Sequence, residues 1–324
     1  MLAAPAGTAL VMVLSSIFAA PTAVAWMEMG PGTSTTTAPP QASARLPQLS
    51  TQEWVMLALI VGGPIVLVML FVKGWLRPGG LKAAGARQVN GLAWWEWLMG
   101  ALIPLMAAAF AQPAGMKLLG VSEGDTDSPR GAFLESACAF VPGVAVAIFL
   151  ARLMNKSAPS AGLSPSKTDA PFGLAGFAMA VPVIVFSNWV GERIYTQLTG
   201  QTMPTIGHST LASIVEYKDD PWTWGTVAIS VIVAPMLEEI VYRGFLQSMI
   251  VRLTGIPGLA VVLTSAVFTW MHWPSVEGSW PALVPIAVLS LGLGIAMERS
   301  KRIGVPIVMH MAFNAVNIAL AVLR

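Results

Sequence analysis

Three ionisable side chains stand close together in a segment that is otherwise apolar, Ala234-Pro235-Met236-Leu237-Glu238-Glu239-Ile240-Val241-Tyr242-Arg243-Gly244-Phe245. Residues four apart on a helix share a face, so Glu239 and Arg243 can pair along it. Glu238 points about 100° away and keeps no such cation. One carboxylate is neutralised structurally while its neighbour is left for chemistry. His272 closes the run Phe268-Thr269-Trp270-Met271-His272, and His310 opens His310-Met311-Ala312-Phe313-Asn314. His310 and Asn314 are again four apart, and Asn317 falls roughly on their face. A glutamate, two histidines and an asparagine can hydrolyse an amide. The carboxylate takes a proton from water that one histidine helps to orient. The second histidine and the asparagine amide donate to the oxyanion that develops. The remaining histidine, His208, lies in a loop between apolar runs and is given no role.

Other chemistries compete for the same residues. Glu238, His272 and His310 can fill three positions around zinc. The chain has no His-Glu-x-x-His, and asparagine is a poor zinc ligand, so catalysis without a metal or other cofactor is the expectation and zinc its alternative. No Gly-x-Ser-x-Gly is present and the single cysteine, Cys138, has no base beside it in sequence, which disfavours a Ser or Cys nucleophile. A polar network that merely locks helices together, or an ion or proton pathway, would also place charges in an apolar segment.

The elements that carry these residues are legible from hydropathy. The chain has 324 residues, is 55% hydrophobic and only 10% charged. Soluble domains carry roughly 25% charged residues, so these apolar side chains must face something other than water. A membrane-spanning helix needs about 20 mostly apolar residues. Eight runs meet or approach that length: Trp54–Val72, Leu92–Ala111, Phe133–Leu150, Phe172–Val190, Trp224–Leu253, Gly258–Trp273, Pro281–Met297 and Val305–Leu323. The expected fold is therefore all-α, a polytopic bundle of about eight spanning helices. A further run, Thr8–Ala25, reads equally as a cleaved signal or a retained membrane helix, and Pro31–Ser50 reads as a flexible linker. Measured inward from Arg252, Pro257 and Arg302 at about 1.5 Å per residue, Glu238 lies roughly 21 Å deep, His272 roughly 22 Å, His310 roughly 12 Å and Asn314 roughly 18 Å. Three helices thus bring their polar residues to overlapping depths.

Orientation follows from the basic residues. Alternating the eight runs puts eleven on one side: Lys73, Arg77, Lys82, Arg87, Arg152, Lys156, Lys167, Arg252, Arg299, Lys301 and Arg302. Six fall on the other, and the eighteenth, Arg243, lies within a helix. The richer side is expected to be cytoplasmic. A net charge of +2 gives no argument for nucleic acid. Membrane lipid and a membrane-associated protein or peptide substrate are the partners expected, with the oligomeric state left open. The expected location is the cytoplasmic membrane of a bacterium.

Glu-Glu-x-x-x-Arg at 238–243, Phe-x-x-x-His at 268–272 and His-x-x-x-Asn at 310–314 resemble the CAAX protease and bacteriocin-processing enzyme (CPBP) family, which includes the Ras-converting CAAX endopeptidases. The three motifs stand in the family's order on separate apolar runs. The resemblance implies an intramembrane endopeptidase without a metal. Glu238 then looks like the base that activates water, His272 like the residue that orients it, and His310 with Asn314 like the oxyanion-binding pair. Glu239 and Arg243 look like the supporting pair. The implied organisation is an N-terminal hydrophobic segment and linker over 1–52, N-terminal membrane helices over 53–200, and a CPBP-type protease core over 221–324. Substrate processing of the CAAX type or of other membrane-associated peptides fits this reading. A non-enzymatic immunity scaffold or a transporter is the alternative, although a transporter would show paired broken helices in two halves, and no such symmetry appears.

Overall fold

A computed structural model describes residues 49–83, 85, 87–202, 208–276 and 280–323. The run Thr8–Ala25 and nearly all of the linker after it lie outside the described residues. Each of the eight apolar runs forms a helix. Helix α1 (Thr51–Val72) starts at a capping box, with Glu53 N–H donating to Ser50 Oγ at 3.3 Å and Ser50 N–H to Glu53 Oε2 at 2.7 Å. After a single turn, α2 (Gly80–Ala83), come α3 (Trp94–Leu118), α4 (Pro129–Ser157) and α5 (Asp169–Thr199). A short helix, α6 (Ser209–Glu216), precedes the long α7 (Pro221–Thr254). Then follow α8 (Pro257–Met271), α9 (Leu283–Ser300) and α10 (Gly304–Val322).

Among the described residues there is no strand, and seven helices are long and apolar enough to cross a membrane. Helix α8, with 15 residues, is the short one. One face of it packs in the core through Ala260, Val261, Thr264 and Phe268, while Val262, Trp270 and Met271 are exposed on the other. The outer surface is apolar: Phe110, Phe149, Leu198 and Trp270 are all largely exposed. Bare side chains of this kind over a whole bundle need lipid around them. The chain is an integral membrane protein with an all-α, polytopic fold.

Helix α7 runs through the middle, packed by α3, α4, α8, α9 and α10. Its core-facing side chains, Leu237, Ile240, Val241 and Phe245, join Trp97, Ala147, Phe268 and Met297 in the principal apolar cluster. By contrast α1 is peripheral and packs on α5, at a contact set by Gly63. A Cβ there would lie 2.4 Å from Phe186 Cβ and 2.7 Å from the Pro182 carbonyl oxygen, so only glycine permits the approach.

Pro235 governs the shape of α7. A bend there is the simple expectation from sequence, since proline cannot donate to the carbonyl four residues back. The structure shows the helix widened on both sides of Pro235. Residues Ile229–Val233 and Ile240–Leu246 are π-helical, on either side of the α-helical stretch Ala234–Glu239. Ala234 N–H reaches the Ile229 carbonyl, five residues back, and Gln247 N–H likewise reaches Tyr242. In that pattern the donor missing from Pro235 is the one owed to Ser230. Single π turns of this kind are marginal on their own and concentrate at functional sites.

The basic asymmetry of the loops gives the first test. With Cys138 replaced by Ser, a cysteine introduced at Lys218 should react with an impermeant thiol reagent in intact cells. Cysteines at Lys82 and Lys301 should react only after permeabilisation. The reverse pattern would invert the bundle.

Candidate active site

Two charged residues of α7 are buried in protein rather than turned to lipid. Glu239 and Arg243 have fully buried side chains, and Arg243 Nη1 donates to Glu239 Oε1 at 3.0 Å. The spacing predicted from sequence is thus realised, with the pair surviving inside the wider π turn. A guanidinium in such a place needs every available partner. Arg243 Nη2 donates to Ser290 Oγ at 2.7 Å and to the Ser290 carbonyl at 3.3 Å, both on α9. Its face lies over the ring of Phe268, 4.4 Å from the centroid, where the aromatic quadrupole attracts the cation.

Phe268 is the hub of the site. Besides Arg243, its ring meets Tyr242 edge-on at 5.2 Å, His272 at 4.5 Å and His310 at 5.8 Å. The first position of the Phe-x-x-x-His motif therefore serves as the wall on which both histidines and the arginine rest. Its ring is 1% exposed, so α7, α8 and α10 converge on a dry centre.

The two histidines are held in different ways. His310 Nδ1 lies 2.8 Å from Glu239 Oε1. A buried carboxylate there accepts, so Nδ1 carries a proton and Nε2 is the edge left for other partners. That edge faces Glu238, with Oε2 3.7 Å away, beyond direct hydrogen bonding. His272 caps the end of α8, and its Nδ1 lies 2.8 Å from the Phe268 carbonyl. A carbonyl can only accept, so Nδ1–H donates and the neutral ring keeps its Nε2 lone pair.

The adjacent glutamates are environmentally distinct. The Glu239 side chain is 0% exposed and that of Glu238 is 21% exposed. Glu239 Oε1 collects both Arg243 and His310, whereas Glu238 has no direct hydrogen bond among the described residues. Asn314 donates through Nδ2 to the Ser230 carbonyl at 2.8 Å. This is the acceptor that Pro235 leaves unserved, so the proline in α7 draws the α10 amide to it. An amide has two N–H groups, and one is thereby committed. Asn317 does not join the group: it donates to the Phe313 carbonyl of its own helix and sits in an apolar cavity with Phe177 and Ile184 of α5.

Among the described residues, no three His, Cys, Asp or Glu side chains gather as a metal-ligand set. Glu238 and His310 approach each other, while His272 spends Nδ1 on a backbone carbonyl.

Sequence reasoning missed His208. It precedes α6, which packs against α10, α7 and the turn Trp273–Val276 that directly follows His272. Burial pushes the His208 imidazole down to about 4, and nearby His272 adds to the shift. Only the loop length hinted at this, since nothing in the local sequence marks where a loop folds back.

Two tests follow from this geometry. Arg243→Met strands a buried carboxylate and should cost about 3–5 kcal/mol. Combining it with Glu239→Gln should recover much of that loss, because the amide oxygen can still accept from His310. Thermal unfolding of the four proteins measures the coupling, and additive losses would refute pairing. The second test concerns acid. An unfolded histidine titrates near 6.5. Between that pH and the folded value of about 4 the unfolded chain binds a proton that folded His208 does not. The stability present above the unfolded value is therefore lost as pH falls through this window. Unfolding temperature followed from pH 7 to 4.5 should drop less steeply in His208→Asn than in the wild type, and identical slopes would exclude this contribution.

Residues 220–316 match the family model described as Rce1-like, type II CAAX prenyl endopeptidase. Neither a curated protein nor a solved structure matches the chain. The matched segment runs from the start of α7 into α10 and contains Glu238, Glu239, Arg243, His272, His310 and Asn314. Residues 220–316 of this membrane protein are thus a CPBP-family domain of the Rce1-like type.

Proposed function

We propose that the protein is an intramembrane endopeptidase in which Glu238 activates the attacking water. The observation that carries this reading is the contrast between the neighbouring glutamates: Glu239 is sealed and doubly engaged, Glu238 is accessible and unengaged. Glu238 takes a proton from water, and the oxygen of that water adds to the substrate carbonyl carbon. His272 Nε2, held as an acceptor, orients the water through its second hydrogen. The carbonyl π pair moves to oxygen, where His310 Nε2–H and the uncommitted Asn314 N–H donate to it. Donation from His310 needs a proton on Nε2 in addition to the one that Nδ1 directs at Glu239. Collapse of the tetrahedral species restores the carbonyl and breaks the C–N bond, and Glu238 returns its proton to the leaving amine.

The substrates proposed are membrane-associated proteins or peptides, with CAAX-type processing foremost given the family match, and the setting proposed is a bacterial cytoplasmic membrane. No metal enters this mechanism.

Glu238→Gln keeps shape and removes basicity, so it should abolish nearly all release of product from a membrane-anchored CAAX peptide in liposomes while leaving thermal unfolding almost unchanged. Asn314→Ala should lower the rate roughly 10²–10³-fold. Losses from Glu238→Gln and His272→Ala should be strongly non-additive if the two act on one water. A folded Glu238→Gln protein that cleaves at the wild-type rate would remove Glu238 and leave a scaffold as the better account. Stoichiometric zinc in active protein, with activity lost on its removal and restored on its return, would replace this mechanism with a metal-dependent one.

A further inference from the structure

A second polar cluster lies along α7 toward the basic end of the bundle, separate from the candidate active site. Its centre is Arg87, from the segment between α2 and α3, which is only 3% exposed. Arg87 Nε and Nη2 donate to Glu298 Oε1 of α9 at 3.1 and 2.7 Å. Its Nη1 donates to Ser248 Oγ of α7 at 2.9 Å and to the Ala161 carbonyl, between α4 and α5, at 3.0 Å. One guanidinium thus ties together four separate stretches of chain. Gln247 Nε2 joins from α7, donating to the same Glu298 oxygen at 2.7 Å and to the Gly294 carbonyl at 3.2 Å. Gln247 and Ser248 are fully buried, and Glu298 is 3% exposed.

This cluster and the active-site pair form successive rungs between the same two helices. On α7 the rungs are Arg243 and Gln247; on α9 they are Ser290, Gly294 and Glu298, each four residues apart. Gly294 leaves room for this, since a Cβ there would stand 3.1 Å from Gln247 Oε1. The first rung, Arg243, lies within the π-helical segment Ile240–Leu246, and Gln247 directly follows that segment. A π turn holds one more residue than the α turn it replaces, so relaxing it to α would rotate everything beyond it by about 100° relative to Glu239. Gln247 and Ser248 face Glu298 and Arg87 only while the π turn persists. Relaxation therefore has to break the buried hydrogen bonds of Gln247 to Glu298 and of Arg87 to Ser248, leaving the ion pair short of its α7 partners.

We propose that Arg87 is a positioning residue: by fixing Gln247 and Ser248 against Glu298, it locks the π-helical register that holds Arg243 on Glu239, the carboxylate bonded to His310. Its predicted effect on turnover rests on the catalytic reading above, while its effect on the backbone of α7 does not.

The experiment compares Arg87→Met with Val89→Ala, a neighbouring buried residue of the apolar core whose side chain can make no hydrogen bond or ion pair to either cluster. Full-length proteins in lipid nanodiscs are examined by hydrogen exchange, each at the same interval below its own unfolding temperature. Amides of 240–247 should exchange about tenfold faster in Arg87→Met, with α3 and α4 unchanged. In Val89→Ala these amides should keep wild-type protection. On the membrane-anchored CAAX peptide, Arg87→Met should lower kcat about tenfold at unchanged KM, because a small misplacement of catalytic groups acts on turnover. If Arg87→Met does not fold, Arg87→Met/Glu298→Gln, which removes both charges, takes its place. Equal protection of 240–247 in the arginine and valine variants would overturn the proposal. Should the wild-type protein release no peptide, the catalytic reading fails while the exchange comparison still decides the role of Arg87.

Discussion

The bundle is organised by the cost of placing charge where water is scarce. Glu239, Arg243, Arg87 and Glu298 are all buried, and an unpaired ion in such surroundings costs several kcal/mol. Each therefore dictates what stands beside it. Arg243 requires Glu239, Ser290 and the face of Phe268; Glu239 in turn captures His310. These demands bring α7, α8, α9 and α10 to one centre more specifically than apolar packing can, because lipid tails satisfy a leucine as well as another helix does. The same demands leave Glu238 as the one carboxylate of the group with neither a salt-bridged arginine nor a direct hydrogen bond among the described residues.

Most of the helices were readable from the chain because membrane helices obey a length rule. Apolar runs such as Trp54–Val72 and Val305–Leu323 became helices with ends within a few residues of those predicted. Helix α4 outran its prediction, reaching from Pro129 to Ser157, because its polar ends continue past the hydrocarbon boundary. The pairing of Glu239 with Arg243 was readable too, since both partners sit on one helix and a periodicity is enough to find them.

What remained hidden were contacts with no local signature. Arg87 and Glu298 are 211 residues apart in sequence. Basic residues in a loop read as surface charges, and Arg87 was counted as one of the cytoplasmic set. The π turns escaped as well: Pro235 announces a missing donor, but whether the backbone bends or widens depends on what another helix offers. Here Asn314 supplies the donor for Ser230, and the helix widens. His208 was overlooked for a related reason, since its neighbours are set by where the loop before α7 lands.

The final helix has a consequence for the order in which the molecule is made. His310 and Asn314 lie on α10 and so leave the ribosome after α7. When α7 enters the membrane, Glu239 has its own Arg243, but Asn314, the donor to the Ser230 carbonyl, and His310, the second partner of Glu239, are not yet synthesised. The nascent protein therefore carries Glu238 for some seventy residues of translation before His310 and Asn314 exist. The polar centre is thus assembled only once α10 has been made, and until then the Ser230 carbonyl and one side of Glu239 lack the partners they have in the folded bundle.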